Sequence, residues 1–231
     1  MVCVAIVVAG GRGRRMGKEV PKQYMKLGGK TILRRALEAV SAAELVRHII
    51  LVVPRGDVVH CRDELVDKGG LKKIVRVAQG GKNRQESVAC GLAAIERLSV
   101  MPDVVVVHDG VRPFVNPKNI DKAIRIAAGF GGALVAVPVK DTIKVITDDG
   151  FVRQTPDRRW LFRAQTPQAF QYHTLVDAHR QAVADGFVGT DDCQLIERVG
   201  GRIVIVEGEE RNIKITTPQD MLLAKALLKE V

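Results

Sequence analysis

The stretch Val-Cys-Val-Ala-Ile-Val-Val-Ala, residues 2–9, constrains the fold more than any other. Eight consecutive small or β-branched apolar residues, with no polar alternation, read as a strand buried on both faces. Such a strand needs cover above and below, so it belongs inside a sheet flanked by helices. Gly10-Gly11-Arg12-Gly13-Arg14-Arg15-Met16-Gly17 follows, and then Lys18-Glu19-Val20-Pro21-Lys22-Gln23-Tyr24. Glycines let a ligand approach the backbone closely, and bare amides in such a turn cradle phosphate. Arg12, Arg14, Arg15, Lys18 and Lys22 stand here against a single acid, Glu19. A buried strand that delivers amides and cations to one place predicts a polyphosphate site. The loop is neither a Walker loop, which would end in Gly-Lys-Ser/Thr, nor a dinucleotide fingerprint, whose third glycine would come one residue before Gly17.

The rest of the chain alternates strand and helix. Thr31–Val40 has apolar residues at helical spacing, with Thr31 as N-cap. His48–Val53 reads as a strand, Val58–Val66 as a helix and Ile74–Ala78 as a strand. Arg84–Leu98 reads as a helix, Val104–His108 as a strand, Pro117–Ala128 as a helix and Ala133–Val139 as a strand. This rhythm predicts a three-layer α/β fold with a mostly parallel sheet, whose ligands sit beyond the carboxyl ends of the strands. Three such ends carry polar or glycine-rich loops: after Ala9, after Ala78 and after His108. The rhythm then breaks. Thr142–Thr147 and Phe151–Thr155 alternate around Asp148-Asp149-Gly150, a strong hairpin signal. Thr174–Ala184 and Asp191–Arg198 read as helices, the second capped by Thr190. Ile203–Val206 reads as a strand, and a last helix starts near Pro218. One domain is expected over residues 1–231, with a hairpin arm inserted at about 141–158 and no second domain.

A net charge of +10 points to an anionic partner. Nucleic acid, an acidic membrane and phosphorylated metabolites all fit that charge, which alone does not choose among them; aromatic residues, whose interleaving with cations favours single-stranded nucleic acid, make up only 4% of the chain, and no nucleic acid is expected. Cys3, Cys61, Cys90 and Cys193 are widely spaced with no accompanying His cluster, the pattern of free thiols in a reducing compartment. No apolar run approaches the ~20 residues that span a membrane, and the apolar start lacks a basic leader. A soluble cytoplasmic protein is the expectation.

His108-Asp109-Gly110-Val111-Arg112-Pro113 is the second candidate motif. A carboxylate at the end of a buried strand faces the ligand edge, and Mg²⁺ takes hard oxygen ligands alongside phosphates and water. Asp109 suits such a site; a helix-capping or turn aspartate is the competing reading. His108 reads as a hydrogen-bonded core histidine. Gly80-Gly81-Lys82-Asn83-Arg84-Gln85-Glu86-Ser87-Val88 forms a second glycine loop, in which backbone around Gly81 and the Ser87 hydroxyl can read a base edge; a polar residue in a helix's first turns is the plainer reading of Ser87.

Taken together, Ala-Gly-Gly-x-Gly-x-Arg-Met with Pro21-Lys22-Gln23-Tyr24, Gly80-Gly81-x-x-Arg84-x-x-Ser87-Val88 and His108-Asp109-x-x-Arg112-Pro113 resemble the sugar-phosphate nucleotidyltransferases. So do Pro138–Thr142, Asp157-Arg158, Ala164–Gln168, Thr190-Asp191 and Asn212–Thr216. The closer resemblance is to the 2-C-methyl-D-erythritol 4-phosphate cytidylyltransferases of the non-mevalonate isoprenoid pathway. Gly110 and Val111 replace two alanines of that pattern, and Lys82 stands where the family often has an acid. The resemblance implies a Rossmann-like nucleotidyltransferase fold that transfers CMP from CTP to methylerythritol phosphate, releasing pyrophosphate. It implies nucleotide contacts at Ala9, Gly10, Gly11, Gly13, Gly81, Ser87, Gly110 and Lys214, and acceptor contacts at Arg112, Thr142, Arg158, Thr166, Thr190 and Thr216. It further implies Mg²⁺ on Asp109, Arg15 and Lys22 stabilising the transition state, and a homodimer joined through the arm. The rival readings are a cytidylyltransferase for another polyol phosphate such as ribitol 5-phosphate, a nucleotide-binding regulatory module without turnover, and a Rossmann dehydrogenase.

Overall fold

The computed structural model describes residues 1–11 and 20–229. Gly13 and Arg15, with the other cations between Gly11 and Val20, lie outside the described residues. The strands are β1 (Cys3–Val8), β2 (Lys26–Leu27), β3 (Lys30–Thr31), β4 (Val46–Val53), β5 (Ile74–Gln79), β6 (Val104–Asp109), β7 (Gly132–Pro138), β8 (Val145–Ile146), β9 (Val152–Gln154), β10 (Phe162–Gln171) and β11 (Ile203–Glu207). The helices are α1 (Ile32–Ala42), α2 (Val58–Cys61), α3 (Arg84–Ile95), α4 (Pro117–Phe130), α5 (Tyr172–Ala184), α6 (Asp192–Arg198) and α7 (Pro218–Leu228).

Seven strands form the central sheet in the order β11-β7-β10-β6-β1-β4-β5. All neighbours are parallel except β10, which runs antiparallel between β6 and β7. β1 is fully buried along its length, as its uniform apolar sequence requires. Its side chains divide between the two faces. Cys3, Ala5 and Val7 pack with Leu37 of α1 and Ile120 and Ile124 of α4. Val4, Ile6 and Val8 pack with Val88 and Leu92 of α3, Leu175 of α5 and Ile196 of α6. Three layers follow directly from one strand that is apolar on both sides. The chain moves from β1 outward to β4 and β5, then returns to place β6 on the other side of β1. That reversal opens a crevice between the carboxyl ends of β1 and β6, the usual ligand position in such sheets.

Local signals explain the helix starts. Thr31 Oγ1 accepts from Arg34 N at 3.1 Å, so it caps α1 as expected. Asn83 caps α3 by accepting from Glu86 N at 2.8 Å. α6 differs from expectation: Asp191, not Thr190, is the cap, accepting from Gln194 N at 3.0 Å. A carboxylate one residue closer to the helix wins over the hydroxyl, which turns instead to Gln194 Oε1 at 3.3 Å. The helix expected over 58–66 is α2 continued by a wider π turn, Arg62–Asp67. β10 is a strand that local pattern did not announce, because its Gln165-Thr166-Pro167-Gln168 centre is buried yet polar. The hairpin is present as β8 and β9, shorter than the alternation suggests and separate from the main sheet. All four cysteines are free thiols.

Gly91 marks the closest approach of α3 to β1. A Cβ there would lie 2.6 Å from Ile6 Cγ2, on a side chain with no exposed surface. Alanine gains about 1 kcal/mol of helix propensity over glycine, but overpacking a filled core costs about 1–3 kcal/mol. Gly91→Ala is expected to be net destabilising, with a lower urea midpoint at unchanged denaturant slope.

Candidate active site

The crevice between β1 and β6 is walled by three segments. Val8–Gly11 leaves β1, Gly81–Arg84 with Ser87 begins α3, and Asp109–Val111 leaves β6; Lys22, Gln23 and Lys214 complete it. Gly110 lets the two strand ends meet, because a Cβ there would sit 3.0 Å from Ala9 Cβ and 3.2 Å from Val8 O. The structure therefore gathers Ala9, Gly10, Gly11, Lys22, Gly81, Ser87, Asp109 and Lys214 around one cleft, with Gly110 at its base.

Asp109 is the electrostatic centre of this cleft. Its carboxylate is 5% exposed and faces three cations: Lys214 Nζ at 2.8 Å, Arg84 Nε at 3.4 Å and Arg112 Nε at 3.6 Å. Burial alone would push the carboxyl up; Lys214, Arg84 and Arg112 outweigh it and hold it far below the usual range. Arg84 also bonds Asp192 Oδ2 at 2.6 Å, and His179 Nε2 meets Asp192 Oδ1 at 3.1 Å. The buried cluster thus sets three cations against two carboxylates. Among the described residues Arg84 Nη2 and Arg112 Nε are buried with no hydrogen-bond partner, the latter facing Asp109 Oδ2 at 3.6 Å. Buried guanidinium donors beside a cleft are groups that an anionic ligand can satisfy.

Behind Asp109 lies a chain of fixed donors. Asp109 N donates to Thr166 Oγ1 at 3.1 Å, Thr166 Oγ1 lies 3.0 Å from His108 Nδ1, and His108 Nε2 lies 3.1 Å from Arg112 O. A carbonyl oxygen only accepts, so Nε2 carries the ring proton and Nδ1 accepts from the Thr166 hydroxyl. Burial pushes His108 down to about 4, leaving a neutral ring tied at both nitrogens. His108 is therefore the hydrogen-bonded core histidine its sequence position suggests. Asn212 donates to Gln165 Oε1 at 3.0 Å and Thr166 O at 2.9 Å, and Arg112 Nη1 donates to Asn212 O at 2.7 Å.

Several candidate side chains are tied down by hydrogen bonds, in the cleft or away from it. Ser87 Oγ donates to Asn83 O at 2.8 Å and accepts from Gly81 N at 3.2 Å, so its hydroxyl shapes the second glycine loop. Thr166 is buried, with its hydroxyl spent on His108 and Asp109. Thr216 gives its hydroxyl to Asp220 at 2.8 Å, next to the Thr217 cap of α7. Thr142, Arg158 and Thr190 are exposed and do not line the cleft; Arg158 Nη1 holds Lys140 O at 2.8 Å across the base of the arm. Sequence reasoning quoted Arg84 within a motif but gave it no role, and it passed over Asp192. The signal for Arg84 was its fixed place after the second glycine loop. Asp192 offered none beyond an acid near a helix start.

The described residues contain no group of three or more His, Cys, Asp or Glu side chains able to hold a metal. Among the described cleft residues Asp109 supplies the carboxylate, which fits Mg²⁺ where phosphates and water provide most of the other ligands.

His108 gives folding a pH dependence of definite sign. Between its unfolded value of 6.5 and its folded value of about 4, the unfolded chain binds a proton that the native chain does not. Stability is therefore complete above pH 6.5 and falls as pH drops through that window. Urea denaturation at pH 7.5 and 4.5 is expected to show a loss on the order of 2 kcal/mol that His108→Gln removes.

Comparison with known proteins agrees with this geometry. The family model described as IspD, 2-C-methyl-D-erythritol 4-phosphate cytidylyltransferase, matches residues 3–230. The enzyme of that name from Geobacter metallireducens is 46% identical over 230 residues, spanning 100% of this chain and 99% of the relative. That from Geotalea uraniireducens is 47% identical over 231 residues, spanning 100% and 98%. A solved structure of 4-diphosphocytidyl-2C-methyl-D-erythritol synthase from Anaerococcus prevotii superposes with a TM-score of 0.86 at 33% identity, covering 99% of this chain and 96% of its own. A sheet reversal beneath a cation-lined cleft, in a chain matched from end to end, leads to one assignment: the protein belongs to the 2-C-methyl-D-erythritol 4-phosphate cytidylyltransferase family.

Proposed function

We propose that the cleft at the sheet's reversal point is where this enzyme, which transfers CMP from CTP to 2-C-methyl-D-erythritol 4-phosphate in isoprenoid precursor synthesis, holds its nucleotide. The observation that carries this reading is Asp109 among Arg84, Arg112 and Lys214 at the edge of the cleft, with two buried guanidinium N–H groups that have no acceptor among the described residues. A phosphate oxygen of the acceptor attacks the α-phosphorus of CTP. The new O–P bond forms as the bond to the β-phosphate oxygen breaks, and pyrophosphate leaves. The nucleophile is already an anion, so no general base is needed; the neutral, doubly bonded His108 accords with that. Catalysis is then positioning and charge stabilisation. In this reading Ala9–Gly11 and Gly81 approach the nucleotide with bare backbone, and Lys214 serves its phosphates. Lys22 and Arg15 stabilise charge at the α-phosphate and on the leaving pyrophosphate. Asp109 would hold a Mg²⁺ that offsets repulsion between two polyanions.

Arg112, Thr142, Arg158 and Thr190 hold the acceptor in this reading, with Thr166 and Thr216 behind them, their hydroxyls fixed by His108 and Asp220. The relatives' names favour methylerythritol over ribitol phosphate as acceptor. The chain acts as one domain whose arm docks on a second copy. Ile146, Phe151 and Val152 on that arm, and Trp160 just beyond it, are each more than half exposed, and a lone two-stranded ribbon is marginal in water. Among the described residues no helix is long and apolar enough to cross a membrane, which supports a cytoplasmic enzyme.

Two experiments test this reading. Asp109→Asn is expected to weaken Mg²⁺–CTP binding by about tenfold or more in calorimetry and to depress turnover with it; unchanged binding and turnover would reduce Asp109 to a turn residue. The second mixes Arg158→Ala with Lys22→Ala subunits. Should Arg158 reach across to the neighbour's acceptor phosphate, mixed dimers contain one site with both lesions and one with neither, and activity returns. No recovery, or a monomer in sedimentation at assay concentration, rejects the shared site.

A further inference from the structure

A lysine side chain is long and flexible, so its aim depends on how firmly its backbone is held. Lys22 sits on a single 3₁₀ turn, Lys22–Tyr24, that follows Pro21. Tyr24 N donates to Pro21 O at 2.9 Å and Met25 N to Lys22 O at 3.2 Å, which closes the turn but anchors it to nothing. The anchors come from the next two side chains. Gln23, 1% exposed, donates from Nε2 to Ala9 O at 3.0 Å, at the carboxyl end of β1. Tyr24 donates its hydroxyl to Asp57 Oδ2 at 2.7 Å, in the turn that follows β4, with Cys61 Sγ at 3.4 Å and the His60 ring edge-on at 6.3 Å. β1 and β4 are neighbours in the sheet, so both anchors refer Lys22 to one rigid frame.

Gln23 is a buried polar side chain whose Oε1 has no partner among the described residues. A buried amide is held in place by the hydrogen bonds it makes. What that amide does make is one bond to the cleft floor, directly beside Lys22. We propose that Gln23 and Tyr24 are positioning residues that fix Lys22 at the nucleotide cleft, which rests on the role given to Lys22 above. Both act through the lysine; neither touches the reacting atoms.

The test is a set of double-mutant cycles. Gln23→Met keeps length and removes the amide; Tyr24→Phe removes only the hydroxyl and keeps the ring packed against the core. Each is made alone and with Lys22→Ala, and kcat is measured beside CTP affinity by calorimetry. Displacement of about 1 Å costs up to ~10²-fold, so Gln23→Met is expected to lower kcat about 10- to 100-fold, with CTP affinity changed less than about twofold. Tyr24→Phe is expected to lower kcat by a smaller factor, about three- to tenfold. In the Lys22→Ala background neither adds more than about twofold, because residues acting through one group do not contribute independently. Losses that multiply on top of Lys22→Ala, or that fall on CTP affinity alone, overturn the proposal while leaving Lys22 in the mechanism. Near-normal kcat in Lys22→Ala overturns the role of Lys22 and the proposal together. Should Gln23→Met fail to fold, Tyr24→Phe carries the same test.

Discussion

A buried carboxylate at the end of a central strand is the constraint on which the site depends. Asp109 lies where β6 emerges beside β1, with almost no access to water. A charge there is tolerated only with partners, and losing one partner leaves the others uncompensated. Those partners come from three segments, one local and two distant: Arg112 from the turn after β6, Arg84 from the start of α3, and Lys214 from the segment between β11 and α7. The need to neutralise one carboxylate therefore draws three loops over a single crevice. Arg84 extends the same demand to Asp192 and so brings the start of α6 to the same wall. Each link is also a cation at a ligand edge, so the charges that stabilise the fold are those a polyphosphate would meet.

The polar strand β10 gives this arrangement its stiffness. An antiparallel strand between two parallel ones is an unusual place for glutamine and threonine, yet each has a job that faces the site. Gln168 donates to Asp191 at 2.7 Å and accepts from Asp192 N at 3.2 Å, holding α6 at its first turn. Gln165 reaches Glu209 O at 2.9 Å and receives Asn212, which fixes the approach to Lys214. Thr166 links the Asp109 amide to His108. Polar networks of this kind rigidify a core, each bond holding the next in place. The floor of the cleft is thereby preorganised, which matters for a reaction whose catalysis is mainly placement of charge.

These features differ in how far the chain announces them. β1 and β6 are unbroken apolar runs, so strand, burial and central position were readable from residue type alone, and their two flanking glycine or acid loops marked the cleft. The Thr31 cap of α1 and Pro117 in the first turn of α4 were equally local. β10 was missed because binary pattern equates polar with exposed, and here the polar atoms are satisfied inward. Thr190 was named the cap of α6 because it sits just ahead of the helical pattern; the choice between it and Asp191 turns on backbone geometry of a single residue. The Arg84–Asp192 and Lys214–Asp109 pairs join residues more than a hundred positions apart. No local spacing encodes them, and only the sheet order brings them together. Family resemblance supplied residue names for the acceptor side, but not that the Thr166 and Thr216 hydroxyls point into the scaffold.

The contrast between cleft and arm has its own logic. The cleft is built from strand ends and helix starts of a close-packed sheet, where one added methyl group is felt. The arm, β8 and β9, is five residues of paired strand held by a turn at Thr147 and a Lys144–Thr155 contact, with its apolar side chains turned outward. Few buried contacts mean low local stability, so its own pairing holds the arm only weakly. Nucleotide phosphates are common to many reactions and suit a rigid, pre-charged cleft. An acceptor must be told from similar polyol phosphates, and a surface completed by a second body adds contacts that a single rigid domain edge lacks. Division of the proposed contacts between a fixed cleft and a covered arm follows from that difference in demand.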